Sequence, residues 1–234
     1  MASTLYMIPC PIAELDYAST PQYVIDQIHA IDHFIVERSK TARKYLKEIK
    51  HPISQQDLII EEMDKHDKDY ALKVFYEWGK KSVAIGVISE AGCPGIADPG
   101  ARIVHAAHKA NIKVVPLIGP SSIFLALMAS GMNGQSFSFH GYLPNKKEQL
   151  SKKIKEIERI SSKNNTAEIF IETPYRNVPM FEDILRNCKS DTFLCIAGDI
   201  TGSDEYIKKK RISEWKKEGF PLKNKIPAIF IIGR

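Results

Sequence analysis

Short apolar runs alternate with helix-forming segments along much of this chain of 234 residues. Runs of this length, bounded by turn residues, are typical of strands buried on both faces of a sheet. Because the helices between parallel strands cover both faces, the alternation predicts an α/β fold with a mostly parallel sheet. The predicted strands of the leading half are 5–8, 33–37, 57–61, 83–88, 113–117 and 137–141.

Two turn-rich loops follow predicted strands between Ser89 and Leu143. The first interrupts regular structure until Ala101 opens a helix, because it contains Gly92, Pro94, Gly95, Pro99 and Gly100. The second breaks at Gly119 and Pro120, where Ser121 or Ser122 is placed to cap the next helix. Open α/β sheets bind ligands at the carboxyl ends of their strands, so these loops predict a ligand site.

A proline and a polar cluster between Tyr142 and Lys147 predict a domain boundary. The first domain is then 1–142 and the second 147–234. In the second, helices are expected at 148–162, 178–187 and 213–218, and strands at 167–172, 192–197, near Tyr206 and at 226–233. This order predicts another α/β domain, with mixed strand directions.

The composition places the chain among globular proteins. Its hydrophobic content of 44% is ample for a buried core, and it has no apolar run long enough for a membrane span and no charged leader. The four cysteines form no CxxC pair and have no histidines at metal-ligand spacing. A reduced cytoplasm is therefore the expected location, with no structural metal.

Positive charge is concentrated in two stretches, 145–165 and 206–225. The formal net charge is +5, and the remainder of the chain is acidic. A concentrated basic surface attracts phosphate backbones. An ordinary lysine-rich helix surface has the same composition, so both interpretations stay open.

Several familiar signatures are absent. No GxGxxG follows the first strand, no GxSxG occurs, and the segment 79–82 fails as a P-loop because Val74 occupies the position of the earlier glycine. The group formed by Asp64, His66, Asp67 and Asp69 is interpreted as a solvated surface feature rather than a metal site. Dinucleotide, P-loop and hydrolase chemistry are thereby disfavoured.

The first loop, PCPIAEL, carries prolines where a phosphate-binding loop has glycines. Proline has no N–H group, so this loop is better suited to presenting carbonyl oxygens to a cationic ligand. Glu90 and Asp98 on the second loop, with Ser121 and Ser122 on the third, extend the same surface. Together they predict a cationic cofactor the size of an adenosine derivative.

Several segments also resemble one family. The blocks SEAGCPGIADPG, KVVPLIGPSSIFLALMASG and FSFHGYLP are similar to motifs of the bacterial small-subunit ribosomal RNA cytidine ribose 2'-O-methyltransferases, within the tetrapyrrole methylase family. The opening TLYMIPCPIAEL, the segment IETPYR and the terminal IPAIFIIG resemble further motifs of that family. The resemblance covers nearly the entire chain and is most specific in the central blocks.

The resemblance implies two α/β domains of the tetrapyrrole methylase type, a homodimer, and S-adenosylmethionine bound in the cleft between the domains. It also implies a ribosomal RNA substrate. The cofactor-binding residues carried over are Pro11, Ile12, Glu90, Ala91, Gly92, Pro94, Ser121, Ser122, Glu172, Thr173, Pro227 and Ala228.

The acceptor side departs from the family pattern. Arg38 replaces an acidic residue, and the segment 197–202 lacks the arginine and lysine of the family motif. A ribose 2'-O-methyltransferase, a tetrapyrrole C-methyltransferase and a cofactor-binding protein without turnover therefore all stay open.

A ribose hydroxyl needs an acceptor for its proton. Glu37 and Glu172 are the candidate catalytic carboxylates, whereas Asp98, directly before Pro99, is interpreted as a helix cap. Arg38, Lys40 and Arg176 are candidate substrate-binding residues, for phosphate or for the carboxylate groups of a tetrapyrrole.

Overall fold

The computed structural model describes residues 3–13, 19–63, 67, 69–223 and 226–234. Asp64 and His66 of the acidic group, and Lys225 of the second basic stretch, lie outside the described residues. The chain divides into two compact units, Met1–Ser121 and Ser122–Arg234. Among the described residues, no helix is long and apolar enough to cross a membrane.

The first unit contains a parallel sheet of five strands in the order β3-β2-β4-β1-β5. The strands are β1 (Thr4–Ile8), β2 (His33–Val36), β3 (Ile59–Glu62), β4 (Ala84–Ile88) and β5 (Lys113–Pro116). The helices are α1 (Gln22–His29), α2 (Ser39–Glu48), α3 (Tyr70–Gly79) and α4 (Ala101–Lys109). The predicted parallel sheet is confirmed, and each predicted strand of this unit lies within two residues of an observed one.

Both faces of this sheet are covered by helices. Leu5 of β1 joins a buried cluster with Phe75 and Trp78 of α3, whereas Ile8 joins the opposite cluster with Ile28 of α1. Side chains of a strand alternate between faces, so one strand contributes to both cores. The carboxyl ends of the five strands remain together at one edge, where the turn-rich loops begin.

The second unit contains a mixed sheet in the order β6-β7-β10-β8-β9. The strands are β6 (Phe137–Tyr142), β7 (Ala167–Glu172), β8 (Phe193–Gly198), β9 (Tyr206–Arg211) and β10 (Ala228–Gly233). The helices are α5 (Ser122–Ser130), α6 (Lys147–Asn164), α7 (Asn177–Asn187) and α8 (Ile212–Glu218), with a short 3-10 helix at Pro174–Arg176. Only β6 and β7 run parallel; the other neighbouring strands are antiparallel, as the predicted mixed sheet requires.

The division between the units differs from the boundary predicted between Tyr142 and Lys147. The sequence predicts that β6 closes the first sheet, but β6 pairs with β7 of the second, where Phe137 lies opposite Ala167. Helix α5 also packs against β7, β9 and β10. An apolar pattern reveals that a strand exists, whereas its partner is chosen by pairing between distant segments.

Candidate active site

Three loops at the carboxyl edge of the first sheet are fastened to one another. The loop after β1 and the loop after β4 exchange two backbone hydrogen bonds, Cys10 N–H to the Gly92 carbonyl at 2.9 Å and Gly92 N–H to the Cys10 carbonyl at 3.0 Å. The Cys93 thiol donates to the Pro120 carbonyl at 3.4 Å, which ties in the loop after β5. A Cβ on Gly119 would lie 2.3 Å from Cβ of Pro9, so only glycine permits this approach. The loops therefore form one rigid surface.

Two predicted site residues organise the loop after β4. Glu37, directly after β2, accepts a hydrogen bond from the Glu90 backbone N–H at 3.1 Å. The Glu90 carboxylate in turn lies 3.4 Å from Nε of Arg38. Arg38 is largely exposed, so this ion pair contributes little stability. The arrangement holds the start of the loop against β2 and brings both carboxylates to the same edge.

The Glu90 side chain has a buried oxygen without a donor. Within the part of the chain that the structure describes, its Oε1 accepts no hydrogen bond, although the atom is shielded from solvent. Leaving a buried acceptor unsatisfied costs about 1–3 kcal/mol. A cationic ligand or an N–H donor at this edge would remove that cost, so the site fits a positively charged cofactor.

A pocket of about 400 Å³ opens beside these loops in the first unit. Apolar walls come from Met63, Leu72 and Ile103, and Glu37 and Asp98 contribute carboxylates. The pocket therefore combines apolar surface for a planar group with acceptors for hydrogen-bond donors.

Asp98 is the member of this pocket whose ionisation is most perturbed. Burial raises its pKa to about 6, and the nearby Glu37 carboxylate contributes, while a hydrogen bond from Ser89 partly opposes the rise. A carboxylate with a pKa near neutrality is suited to accepting a proton during catalysis. The interpretation of Asp98 as a helix cap is wrong. The N-cap of α4 is Gly100, and no side chain makes a capping hydrogen bond there.

The raised pKa makes stability depend on pH with a defined sign. Asp98 titrates near 3.8 when unperturbed and at about 6 in the fold, so its contribution to stability is complete below pH 3.8 and is lost as the pH rises to 6. Asparagine does not ionise, so the Asp98→Asn variant does not lose this stability as the pH rises. We expect the Tm of the variant to rise relative to that of the parent protein between pH 4 and 6 and the difference to stay constant above, in thermal unfolding by circular dichroism. A difference that does not change with pH would contradict this.

In the second unit, Glu172 lies buried at the end of β7. Its Oε1 accepts a hydrogen bond from the Thr173 backbone N–H at 2.8 Å, and its Oε2 lies 3.1 Å from Nη2 of Arg176. Oε2 accepts no hydrogen bond among the described residues, so its contact with Arg176 is an ion pair only. The hydrogen bond to Oε1 and this ion pair suit Glu172 to positioning the Thr173–Arg176 turn. Arg176 also donates a hydrogen bond to Asn145.

The remaining predicted cofactor residues of this unit lie beside Glu172. Ala228 is its partner across the β7–β10 pair, which brings Pro227 next to the same turn. Asn177 donates from Nδ2 to the Ile226 carbonyl at 2.7 Å and so fixes the approach to β10. Its Oδ1 is buried without a partner among the described residues. The sequence pattern does not single out Asn177; only its burial distinguishes it from an ordinary helix-start asparagine.

The remaining predicted residues lie partly at the joined loops and partly elsewhere. Pro11 and Ile12 lie on the loop after β1, and a Cβ on Gly92 would lie 3.4 Å from Cγ2 of Ile12. Lys40 is exposed on α2. Ser121 ends the first unit, whereas Ser122 begins α5 in the second.

Solved structures share this two-unit architecture. The methyltransferase CobJ matches 100% of this chain and 94% of its own, with a TM-score of 0.64 and 16% identity. Diphthine synthase matches 99% of this chain and 90% of its own, with a TM-score of 0.68 and 12% identity. The fold is therefore that of the tetrapyrrole methylases.

Sequence relatives specify the family within that fold. Ribosomal RNA small subunit methyltransferase I of Vibrio cholerae is 31% identical over 213 residues, which are 91% of this chain and 70% of the relative. The protein of the same name from Escherichia coli O157:H7 is 29% identical over 92% of this chain and 72% of its own length. No family model matches the chain. The chain belongs to the ribosomal RNA small subunit methyltransferase I family.

The match to the relatives is not equally long in every case. The Bacillus subtilis protein of the same name is 33% identical over 174 residues, which are 74% of this chain and 55% of the relative. The aligned part thus spans about half of that relative.

Proposed function

We propose that this protein transfers a methyl group from S-adenosylmethionine to the 2'-hydroxyl of a ribose in small-subunit ribosomal RNA. Family membership supports the reaction class and the RNA substrate. The observation that carries the proposal is the pocket of the first unit, where Asp98, with a pKa of about 6, lies beside Glu37. A cytoplasmic location is part of the proposal, since ribosomal subunits are the substrate.

The loop surface of the first unit is the proposed binding site for the cofactor's charged part. S-adenosylmethionine supplies an electrophilic methyl group on a sulfonium when bound. The buried Oε1 of Glu90 would accept a hydrogen bond from the ammonium group of this cofactor, and the loops after β1 and β5 would hold it. Thr173, Pro227 and Ala228 lie together beside Glu172 in the second unit, and their role in cofactor binding stays a prediction.

The acceptor side is assigned to the pocket of the first unit. Methyl transfer from a sulfonium is an in-line displacement, so the protein mainly positions the hydroxyl and excludes water, an effect worth roughly 7–11 kcal/mol. Asp98 receives the hydroxyl proton as the oxygen attacks. Glu37 holds the Glu90 backbone and raises the pKa of Asp98, which makes Asp98 a better base near neutral pH.

The experiment that tests this function uses cofactor labelled in the methyl group. The protein is incubated with small ribosomal subunits lacking the modification and, separately, with tetrapyrrole precursors. We expect label only in the ribosomal RNA, at a ribose that resists alkaline cleavage on its 3' side. Label in a tetrapyrrole, or in neither substrate, would overturn the proposal.

A homodimer is the proposed assembly. Phe124 and Met128 on α5 are 54% and 77% exposed, and the Phe124 ring contacts that of Phe137 on β6. Neighbouring exposed apolar side chains on one unit are typical of a protein interface.

Charge on this surface is expected to disrupt the dimer. Phe124→Glu combined with Met128→Glu would bury two carboxylates, so we expect a monomer by size-exclusion chromatography with light scattering. Tyr23→Glu, which changes an exposed aromatic residue of the first unit, is the control and should leave the mass unchanged. A dimer that persists in the double variant would place the interface elsewhere.

A further inference from the structure

A basic groove lies in the second unit between the carboxyl half of α6 and the connection from α7 to β8. Its volume is about 510 Å³. Five exposed lysines and arginines line the groove. Lys155, Arg159, Lys163 and Lys189 are called the four groove cations, and the fifth is Arg234, the last residue of the sequence. No step of the proposed reaction uses it.

The floor of the groove is built by a buried carboxylate. Glu158 is only 8% exposed, and its Oε1 accepts hydrogen bonds from the Lys189 backbone N–H at 2.7 Å and the Thr192 hydroxyl at 2.5 Å. These bonds fasten α6 to the start of β8. Because Glu158 is used internally, it holds the walls in place while the lysine and arginine side chains extend outward.

The cations of the groove differ from other cations of the same helix. Lys152 pairs with Glu148 at 2.8 Å, and Lys153 pairs with Glu156 at 3.3 Å. Among the described residues, no ion pair is formed by any of the four groove cations. On a solvated helix surface, lysines typically form ion pairs with acidic residues three or four positions away, as Lys152 and Lys153 do. The groove instead keeps its positive charge available to a ligand.

Three of the cations form a line along α6. Lys155, Arg159 and Lys163 are each four residues apart, so they share one helix face and advance about 6 Å per step. This repeat is comparable with the separation of successive phosphates along one nucleic-acid strand. Asp191, the other acidic lining residue, is exposed and leaves the net charge of the lining positive.

The groove lies at the end of the second sheet opposite to Glu172. It includes Thr192, just before β8, and Gly233, the last residue of β10, whereas Glu172 pairs with Ala228, the first residue of β10. A strand of that length spans roughly 17 Å. The groove and the Glu172 turn are therefore separate surfaces of the second unit.

We infer that the basic groove binds the phosphodiester backbone of the RNA substrate. This inference rests on the proposed function for the identity of the RNA. Contacts to phosphates supply affinity without reading sequence, and they release counterions. Binding through the groove should therefore depend strongly on salt and only weakly on the bases.

The test compares two double variants of α6 that remove the same charge. Arg159→Gln with Lys163→Gln changes the groove, and Lys152→Gln with Lys153→Gln changes paired lysines outside it. Binding of a fluorescent fragment of small-subunit ribosomal RNA is measured by anisotropy from 50 to 300 mM salt, without cofactor, about the range over which such contacts weaken. Thermal unfolding checks that both variants are folded.

We expect the groove variant to lose about 1.4–1.8 from the slope of log Kd against log salt, since each phosphate contact contributes about 0.7–0.9. The control variant should keep the slope of the parent protein to within about 0.5. Equal slopes for all three proteins, or no binding of the RNA by the parent protein, would overturn the inference. A groove-dependent slope without methyl transfer into ribosomal subunits would sustain the groove while rejecting the proposed reaction.

Discussion

Replacing Asp98 by asparagine is expected to lower the rate of methyl transfer by about 10²- to 10⁴-fold, the usual contribution of a general base. Asparagine preserves the size of the side chain but cannot accept the proton at neutral pH. The rate is measured in a single turnover, with saturating cofactor and undermethylated ribosomal subunits. Asp57→Asn, an exposed aspartate of the same unit, is the matched control and should retain the parent rate.

The pH dependence of the same reaction tests the role of Asp98 independently. Because its pKa is about 6, the rate of the parent protein should rise through pH 6 and level off above it. Glu37→Gln keeps an acceptor for the Glu90 N–H but removes the charge that raises the pKa of Asp98. The midpoint should therefore move to lower pH in this variant. An unchanged midpoint, or full activity in Asp98→Asn, would contradict the assignment.

The second large effect is expected at Gly92. Its φ is +64°, and both of its backbone groups bond to Cys10, so the left-handed conformation is required by the loop. A branched side chain in that conformation costs about 1–3 kcal/mol. Gly92→Val should therefore distort the junction of the two loops and weaken binding of S-adenosylmethionine about tenfold or more, because 1.4 kcal/mol corresponds to tenfold.

Isothermal titration with S-adenosylmethionine measures this loss, and far-ultraviolet circular dichroism checks that the fold is retained. Gly134→Val is the matched control, since a Cβ there would meet open space and the backbone is not left-handed. Gly92→Ala should be milder because alanine is not branched. Unaltered affinity in Gly92→Val would place the cofactor away from these loops.

The residues at the carboxyl edge of the first sheet show which parts of the candidate site can be predicted from the sequence alone. Glu37, Glu90 and Gly92 are predictable from their position after apolar runs, and the structure brings them together because parallel strands end at one edge. The interpretation of Asp98 as a cap fails although an aspartate before a proline at a helix start is typical of one. Its distinguishing property, the carboxylate of Glu37 nearby, depends on residues far apart in the sequence.

The basic stretch 145–165 shows a related limit. Its composition fits both a solvated helix and a phosphate-binding surface, and the sequence alone does not choose between them. Which lysines are paired depends on whether an acidic residue lies on the same helix face, and the floor at Glu158 depends on a loop 31 residues further along. The structure separates the paired cations Lys152 and Lys153 from Arg159 and Lys163, which form no ion pair with any residue that the structure describes.

The sequence by itself determined the local elements and the parallel direction of the strands in the first sheet, because apolar periodicity and turn chemistry are properties of short segments. Its motifs also indicated the family. Only the tertiary structure decided that β6 belongs with β7, that Glu172 lies against Thr173 and Arg176, and that Asp98 lies in a pocket with Glu37. These outcomes depend on pairing, burial and charge between distant segments. Such interactions exist only once the chain has folded.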